Sequence, residues 1–394
     1  MSPVDPVTSP AQHVPIARPF FGEEEERAVV EVLRSGWVTQ GPVVARFEEV
    51  VAERVGAAHA VAVTSATTAL QATLVALGIG PGDEVVCPSY TYIATPNSIV
   101  NAGARPVFAD LDAETWSVDP AAVEAAITPR TAAIMPVHMG YAADSAALHD
   151  IARRHGLAVV EDAAPALGAR TADDFGNRAV GDSEGAVVFS FHPRKIVTCG
   201  EGGVITTPDG RVAEQLRLLR HHHMSVSDVA RHRAGGLVFE SYEDVGHNWR
   251  MTDLQAAVGV AQMGKLDRIL AERADIARRY DEVFLGHPHL RRRRLLPGSS
   301  DAHQAYSVEV LAGAPLSRDD LMAALQRAGI ATRRGVMSSH LEPAYVQRFG
   351  RLALPHTERV SGNTLMLPVF AGMRADEVDH VRASVLSALA GPRG

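Results

Sequence analysis

Residues 158–164 read AVVEDAA and residues 185–195 read GAVVFSFHPRK. Each is a short apolar run without polar alternation that ends in residues able to do chemistry. A strand covered by helices on both sides of its sheet has this pattern, because neither face meets water. Working outward, the same unit recurs. Ala60–Val63, Glu84–Cys87, Pro106–Ala109, Ala132–Val137, Ala158–Glu161, Gly185–Phe191 and Val204–Thr206 read as strands. Thr67–Leu77, Ala94–Ala102, Pro120–Ile127 and Ser145–His155 read as the helices between them. The expectation is an α/β fold whose mainly parallel, seven-stranded sheet has helices on both faces. Upstream, Glu23–Ser35 and Val43–Val55 read as helices, with Glu23 to Glu26 as a solvated, dipole-favoured start. Downstream come a helix over Arg211–His222 and one long helix over Thr252–Phe284.

Composition shifts at residues 286–300, which are rich in Pro, Gly and Arg, and a domain boundary is expected near 286. Residues 1–13 then form a loose tail, 14–285 a large domain and 286–394 a smaller C-terminal α+β domain. Arg291 to Arg294 could form an anion patch, but four basic residues in a linker are more often solvated, and the run is read so. Of the 394 residues, 46 are acidic and 38 basic, a formal net charge of -8, which argues against nucleic acid as a partner. No apolar run approaches the ~18 residues of a membrane span, so no membrane is expected either. Two cysteines, Cys87 and Cys199, suit a reducing cytoplasm. The basic residues include only two lysines, Lys195 and Lys265. A lysine kept in so arginine-rich a chain draws attention to what Arg cannot do, such as forming an imine or accepting a proton.

Lys195 follows a strand end at Ser190 and a turn at Pro193, before a glycine cluster at Gly200, Gly202 and Gly203 that lets backbone approach something closely. Loss of solvation there would lower its pKa and make the amine nucleophilic; a surface lysine in a loop is the plain alternative. Glu161 and Asp162 place a carboxylate at the sheet's C-terminal edge, where it needs a cation: a pyridinium nitrogen, or simply an Arg. Ser65, Ala66 and Thr67 carry a strand into a helix N-terminus, which suits a phosphate, although N-capping by Ser65 explains the same residues. Tyr90 and Tyr92 follow another strand, and one could cover a flat ring, although core packing is the usual explanation. The Gly78–Gly82 stretch precedes its strand and contains Pro81, so it is a turn and not a dinucleotide fingerprint. His221, His222 and His223 point different ways near a helix end, and no metal site is expected. A reactive lysine, a carboxylate, a phosphate cradle and a stacking aromatic on one sheet edge are the parts needed to hold pyridoxal phosphate (PLP).

The ordered set of motifs resembles the DegT/DnrJ/StrS sugar aminotransferases. It comprises residues 35–42 (SGWVTQGP), 80–85 (GPGDEV), 161–164 (EDAA), 190–195 (SFHPRK), 200–203 (GEGG) and 248–253 (NWRMTD). The resemblance runs from about Val14 to the C-terminal helix and implies the type I PLP-dependent transferase fold. It implies that Lys195 forms the Schiff base with PLP and shuttles protons, and that Asp162 pairs with the pyridine nitrogen. Ser190, with Ser65, Ala66 and Thr67, would hold the phosphate; Tyr92 would stack on the ring; His192 falls within the lysine motif. Asn248 would reach the cofactor of a neighbouring subunit, which implies a homodimer with shared sites. Pro165 stands where many members carry Gln or His near the cofactor's phenolic oxygen.

The resemblance further implies transfer of an amino group from glutamate or glutamine to a keto sugar. The expected acceptor is a nucleotide-linked 3- or 4-keto deoxysugar; Arg333 or Arg334 could meet its diphosphate, with exposed ion pairing the equal alternative. A free cyclitol ketone is the alternative acceptor. A lyase, an epimerase or a dehydratase on the same cofactor is the rival chemistry, and a non-catalytic binding protein the rival class. Lys195 stands where the dehydratases carry His, which argues against a dehydratase, and its presence with Asp162 argues against a non-catalytic protein; only a donor half-reaction separates the lyase and the epimerase.

Overall fold

Two sheets of unequal size organise the chain, described here from a computed structural model that covers residues 13–390 except 174–175, 227–236 and 238. The expected tail thus lies outside the described residues, apart from His13. Two helices, α1 (Glu23–Ser35) and α2 (Pro42–Val55), precede the first strand, β1 (His59–Val63). Then come α3 (Ala66–Ala76), β2 (Glu84–Pro88), α4 (Ala94–Asn101), β3 (Arg105–Ala109), α5 (Pro120–Ala125) and β4 (Thr131–Ile134). They are followed by α6 (Ser145–His155), β5 (Ala158–Asp162), a hairpin of β6 (Arg170–Asp173) and β7 (Gly176–Ala179), β8 (Ala186–Ser190) and β9 (Gly203–Thr207).

Seven of these strands form one sheet in the order β1-β9-β8-β5-β4-β2-β3. All run parallel except β9, which is antiparallel to both neighbours. Alternation along each strand explains why the runs carry no polar face. Ala60, Ala62, Val187, Phe189 and Val204 enter one apolar cluster with Phe47 of α2, while Val61, Val63, Val188 and Ile205 enter another with Leu70 and Leu74 of α3. The mainly parallel sheet covered on both faces is as expected. The β6–β7 hairpin was not, because its polar residues lack the apolar run that marks a buried strand.

The remaining elements are α7 (Gly210–Leu219), α8 (Asp253–Gly264), α9 (Leu266–Phe284), β10 (Leu290–Arg291), β11 (Tyr306–Val310), α10 (Arg318–Arg327) and β12 (Arg333–Arg334). Last come α11 (Pro343–Phe349), α12 (Pro355–Asn363), β13 (Thr364–Leu367) and α13 (Ala375–Leu389). The second sheet has the order β10-β11-β13-β12. Its apolar core takes Val308 and Leu365 from strands, Leu321 and Val381 from helices, and Tyr280 and Phe284 from the end of α9.

Four expectations need correction. The long helix is two, broken at Lys265 (φ −100°, ψ −2°), whose amine bonds Glu25 at 2.7 Å and Glu24 at 3.0 Å. Glu25 is therefore not part of a solvated helix start: it is buried and also accepts from Gln262 and from the Gly22 N–H. The helix expected to reach His222 stops at Leu219, because the N–H groups of His221 and His223 turn back to the Leu218 carbonyl. The arginine run is mostly not solvated: Arg291 pairs with Glu309, Arg292 with Asp281, and buried Arg293 with Asp301. Among the described residues no helix is long and apolar enough to cross a membrane.

Candidate active site

Six of the seven strands in the larger sheet point their C-terminal ends to one edge, and β9 starts there. Along that edge lies a cavity of about 990 Å³. Ser65, Ala66, Thr67, Tyr92, Asp162, Ser190, His192 and Lys195 all line it, as does Pro165. Asn248 does not; it is exposed and lies in an isolated bridge with His221.

Asp162 ends β5 and is 5% exposed. Its Oδ2 accepts from the Thr95 hydroxyl at 2.6 Å and its Oδ1 from the Ala164 N–H at 3.0 Å. No Arg or His pairs with it within the described residues, so the bland alternative of a structural ion pair is not realised. Its neighbour Glu161 faces the other side of the sheet, as alternation requires. There it is bonded by His138 at 2.7 Å, His149 at 3.0 Å and Ser145 at 3.1 Å. Those donors hold its carboxyl well below the ordinary range despite burial.

Lys195 sits on the turn after β8, where its N–H bonds the His192 carbonyl at 2.8 Å. Desolvation is the main cause that pushes its amine down to about 8, with Arg194 adding to it and the Asp162 carboxylate opposing. At neutral pH a tenth of such amines are free base, far more than for an ordinary lysine. His192 is also lowered, by burial first and Arg194 second.

Ser65 caps α3, its Oγ accepting from the Thr68 N–H at 3.2 Å, so the capping reading of this hydroxyl holds. The next N–H groups, of Ala66 and Thr67, have no intrahelical acceptor and carry the positive end of the helix dipole. The glycine cluster has a physical reason here. A Cβ on Gly203 would lie 2.4 Å from the backbone carbonyl of Ser65, so only glycine lets β9 start against the α3 turn. Tyr92 is 60% exposed over the cavity, free to cover a flat ring.

Three contributors escaped the sequence reading. Thr95 reaches Asp162 across 67 residues; the only hint was its spacing of four from Thr91, whose hydroxyl bonds it at 2.7 Å. Gln304 donates to the Arg194 carbonyl, which ties the segment entering the smaller sheet to the lysine turn. Arg293 lines the cavity from within the misread arginine run. No sequence signal marked Gln304, and only the charge of its run marked Arg293.

The residues present fit PLP. A buried carboxylate with no Arg or His partner among the described residues suits a pyridinium, N–H groups free at the start of an eleven-residue helix suit a phosphate, and a desolvated amine suits an aldehyde. Among the described residues no group of three or more His, Cys, Asp or Glu could hold a metal ion. Solved structures resemble the whole chain. TlmJ, an aminotransferase from Streptoalloteichus hindustanus, is 32% identical with a TM-score of 0.87, covering 96% of this chain and 99% of its own. DesV from S. venezuelae is 34% identical with a TM-score of 0.84 and the same coverage. The sugar aminotransferase CalS13 from Micromonospora echinospora is 27% identical with a TM-score of 0.85, covering 95% and 99%. The model of the DegT/DnrJ/EryC1/StrS aminotransferase family matches residues 19–386, and the chain belongs to that family of PLP-dependent enzymes.

Proposed function

We propose that this aminotransferase moves an amino group from glutamate or glutamine to a nucleotide-linked 3- or 4-keto deoxysugar, in amino-sugar or natural-product biosynthesis. The observation that carries the reading is one cavity holding a lowered lysine amine and a buried carboxylate with no Arg or His partner among the described residues, with two exposed arginines in its wall. Those arginines, Arg333 and Arg334, form β12 at the cavity wall and are in no ion pair with a described residue. A diphosphate would supply the charge they lack, which favours a nucleotide-linked acceptor over a free cyclitol ketone.

When bound, PLP supplies an electron sink beside the carbon that loses its proton. Lys195 would hold the cofactor through Nζ, be displaced by the donor's amine, take the proton from the donor carbon and later return one to the acceptor carbon. Asp162, steadied by Thr95, would keep the ring nitrogen protonated. The Ala66 and Thr67 N–H groups with Ser65 and Ser190 would hold the phosphate, Tyr92 would cover the ring, and His192 would wall the lysine turn. Pro165 offers no donor, so no side-chain hydrogen bond forms there. Residues 14–285 would carry the cofactor and 286–394 close over the acceptor. Asn248, outside its own cavity, would serve the site of a second subunit in a cytoplasmic homodimer.

The test is the donor half-reaction. L-glutamate, then L-glutamine, is added to the PLP-loaded protein and the keto acid assayed as the visible cofactor band decays. Release with either donor supports transamination and identifies the donor. Stable cofactor binding with no keto acid from either would move the lyase or epimerase reading ahead.

A further inference from the structure

One corner of the cavity contains buried polar atoms that no described residue satisfies. Trp116 lines it at 2% exposure, and its indole Nε1–H has no hydrogen-bond partner among the described residues. Tyr141 lines it at 3% exposure; its hydroxyl faces Ser117, yet neither oxygen has a partner in hydrogen-bond geometry. Buried polar groups are nearly always paired, and each lost pairing costs about 1–3 kcal/mol, so neighbouring orphans call for an explanation.

The backbone here is strained as well. Trp116 has φ +58°, in the left-handed region that bulky residues avoid. The loop enforces this: Asp112 Oδ1 accepts from the N–H groups of Glu114 and Thr115, the Asp112 carbonyl accepts from the Trp116 N–H, and Leu111 bridges Val118. Strain held in place by surrounding bonds, and aimed at a cavity, is typical of a ligand clamp.

The walls define the ligand. Tyr90, Trp116, Met139 and Val336 form one apolar cluster, and Arg293 lies over the Tyr141 ring at 3.8 Å from its centroid. Asp301 already neutralises Arg293, so this corner is no site for a diphosphate or a donor carboxylate. Flat apolar walls with an N–H donor and a phenol that gives or takes a hydrogen bond suit a sugar ring: C–H faces on the aromatics, hydroxyls on the edges. The corner also connects to the chemistry. Val137 bridges Asp162, Tyr141 bridges Asp301, and Gln304 bonds the carbonyl beside Lys195.

We propose that the corner formed by Trp116, Tyr141 and Arg293 seats the deoxysugar ring of the acceptor, with the Trp116 indole N–H donating to a ring hydroxyl. This rests on the keto-sugar reading above and adds the residue that selects a hydroxylated ring. The test uses the PLP-loaded enzyme, converted to its amino form by the active donor, with thymidine-diphosphate 4-keto-6-deoxyglucose and its 3-keto isomer as probes. Trp116→Phe removes the N–H and keeps an aromatic wall; Tyr141→Phe removes only a hydroxyl and guards against misfolding of the first variant. Each should raise the acceptor KM by about three- to tenfold, with kcat less affected and the donor half-reaction within about twofold of wild type. A probe lacking the hydroxyl beside the keto group should bind wild type and W116F equally well. Unchanged acceptor KM in both variants, or equal slowing of the donor half-reaction, would overturn the assignment. A wild type that releases keto acid from its donor but uses neither probe overturns the ring class alone. A wild type that releases none overturns the transamination reading itself.

Discussion

Lys195 shows how position sets reactivity at the scale of one residue. Its amine is lowered from 10.5 to about 8 because burial disfavours the charged form more than Asp162 favours it. Between those two values the unfolded chain binds a proton that the folded chain has released, so the group's contribution to stability rises with pH through that window. Below about pH 8 both states are charged and folding carries the full desolvation cost. Lys195→Met should therefore melt higher than wild type in the cofactor-free form at pH 7, by on the order of 1–3 kcal/mol, with the difference gone by pH 10.5. Calorimetry across that range checks it, and a constant difference would sink the desolvation account. Lys195 and Asp162 were legible in the sequence because Asp162 ends one apolar run and Lys195 follows the turn after another, and a strand end at a sheet edge is a local property. Thr95 and Arg293 were not, because their roles come from partners far along the chain. The arginine run misled for the same reason: its charge is visible in the sequence, but Asp281, Asp301 and Glu309 are brought to it only by folding.

Elements show the same division between local and distant causes. The boundaries of β1, β5 and β8 follow from apolar runs and matched to within a residue or two. The break between α8 and α9 did not, since the apolar rhythm continues through Lys265 and the break is held by Glu24 and Glu25, about 240 residues earlier. The contact of β9 with the start of α3 is a close backbone approach. Gly203→Ala would drive a Cβ into the Ser65 backbone, which cannot give way as a side chain would. We expect at least a tenfold loss of PLP affinity, about 1.4 kcal/mol or more, in a spectrophotometric titration. Gly264→Ala, where a Cβ meets nothing within 4 Å, is the control; it should keep PLP affinity and gain up to about 1 kcal/mol in stability. Equal affinity in the two variants would show that the close approach does not shape the phosphate turn.

At the scale of the whole molecule, the family match and the resemblance to solved structures extend across nearly the entire chain. Asn248 is exposed, and nearby Phe239 and Val245 are 86% and 81% exposed, which suits a face covered by a second copy. If Asn248 completes a neighbour's site, N248A and Lys195→Ala are each inactive alone. Mixed and refolded together at equal ratio, they should regain about a quarter of wild-type activity, because half of the dimers are hybrids with one intact site. No recovery from co-purified hybrids would place Asn248 outside the chemistry. The sheet order has a separate consequence, in time instead of space. β1 joins the sheet only through β9, pairing Ala60 with Thr206, and β9 in turn needs β8. A ribosome must therefore release most of the larger sheet before the first strand can dock. Until then the phosphate turn has no floor, and the nascent chain carries an apolar hairpin-less edge. Assembly of the cofactor pocket should thus be a late event in synthesis, with the N-terminal quarter of the chain the part most dependent on chaperone cover.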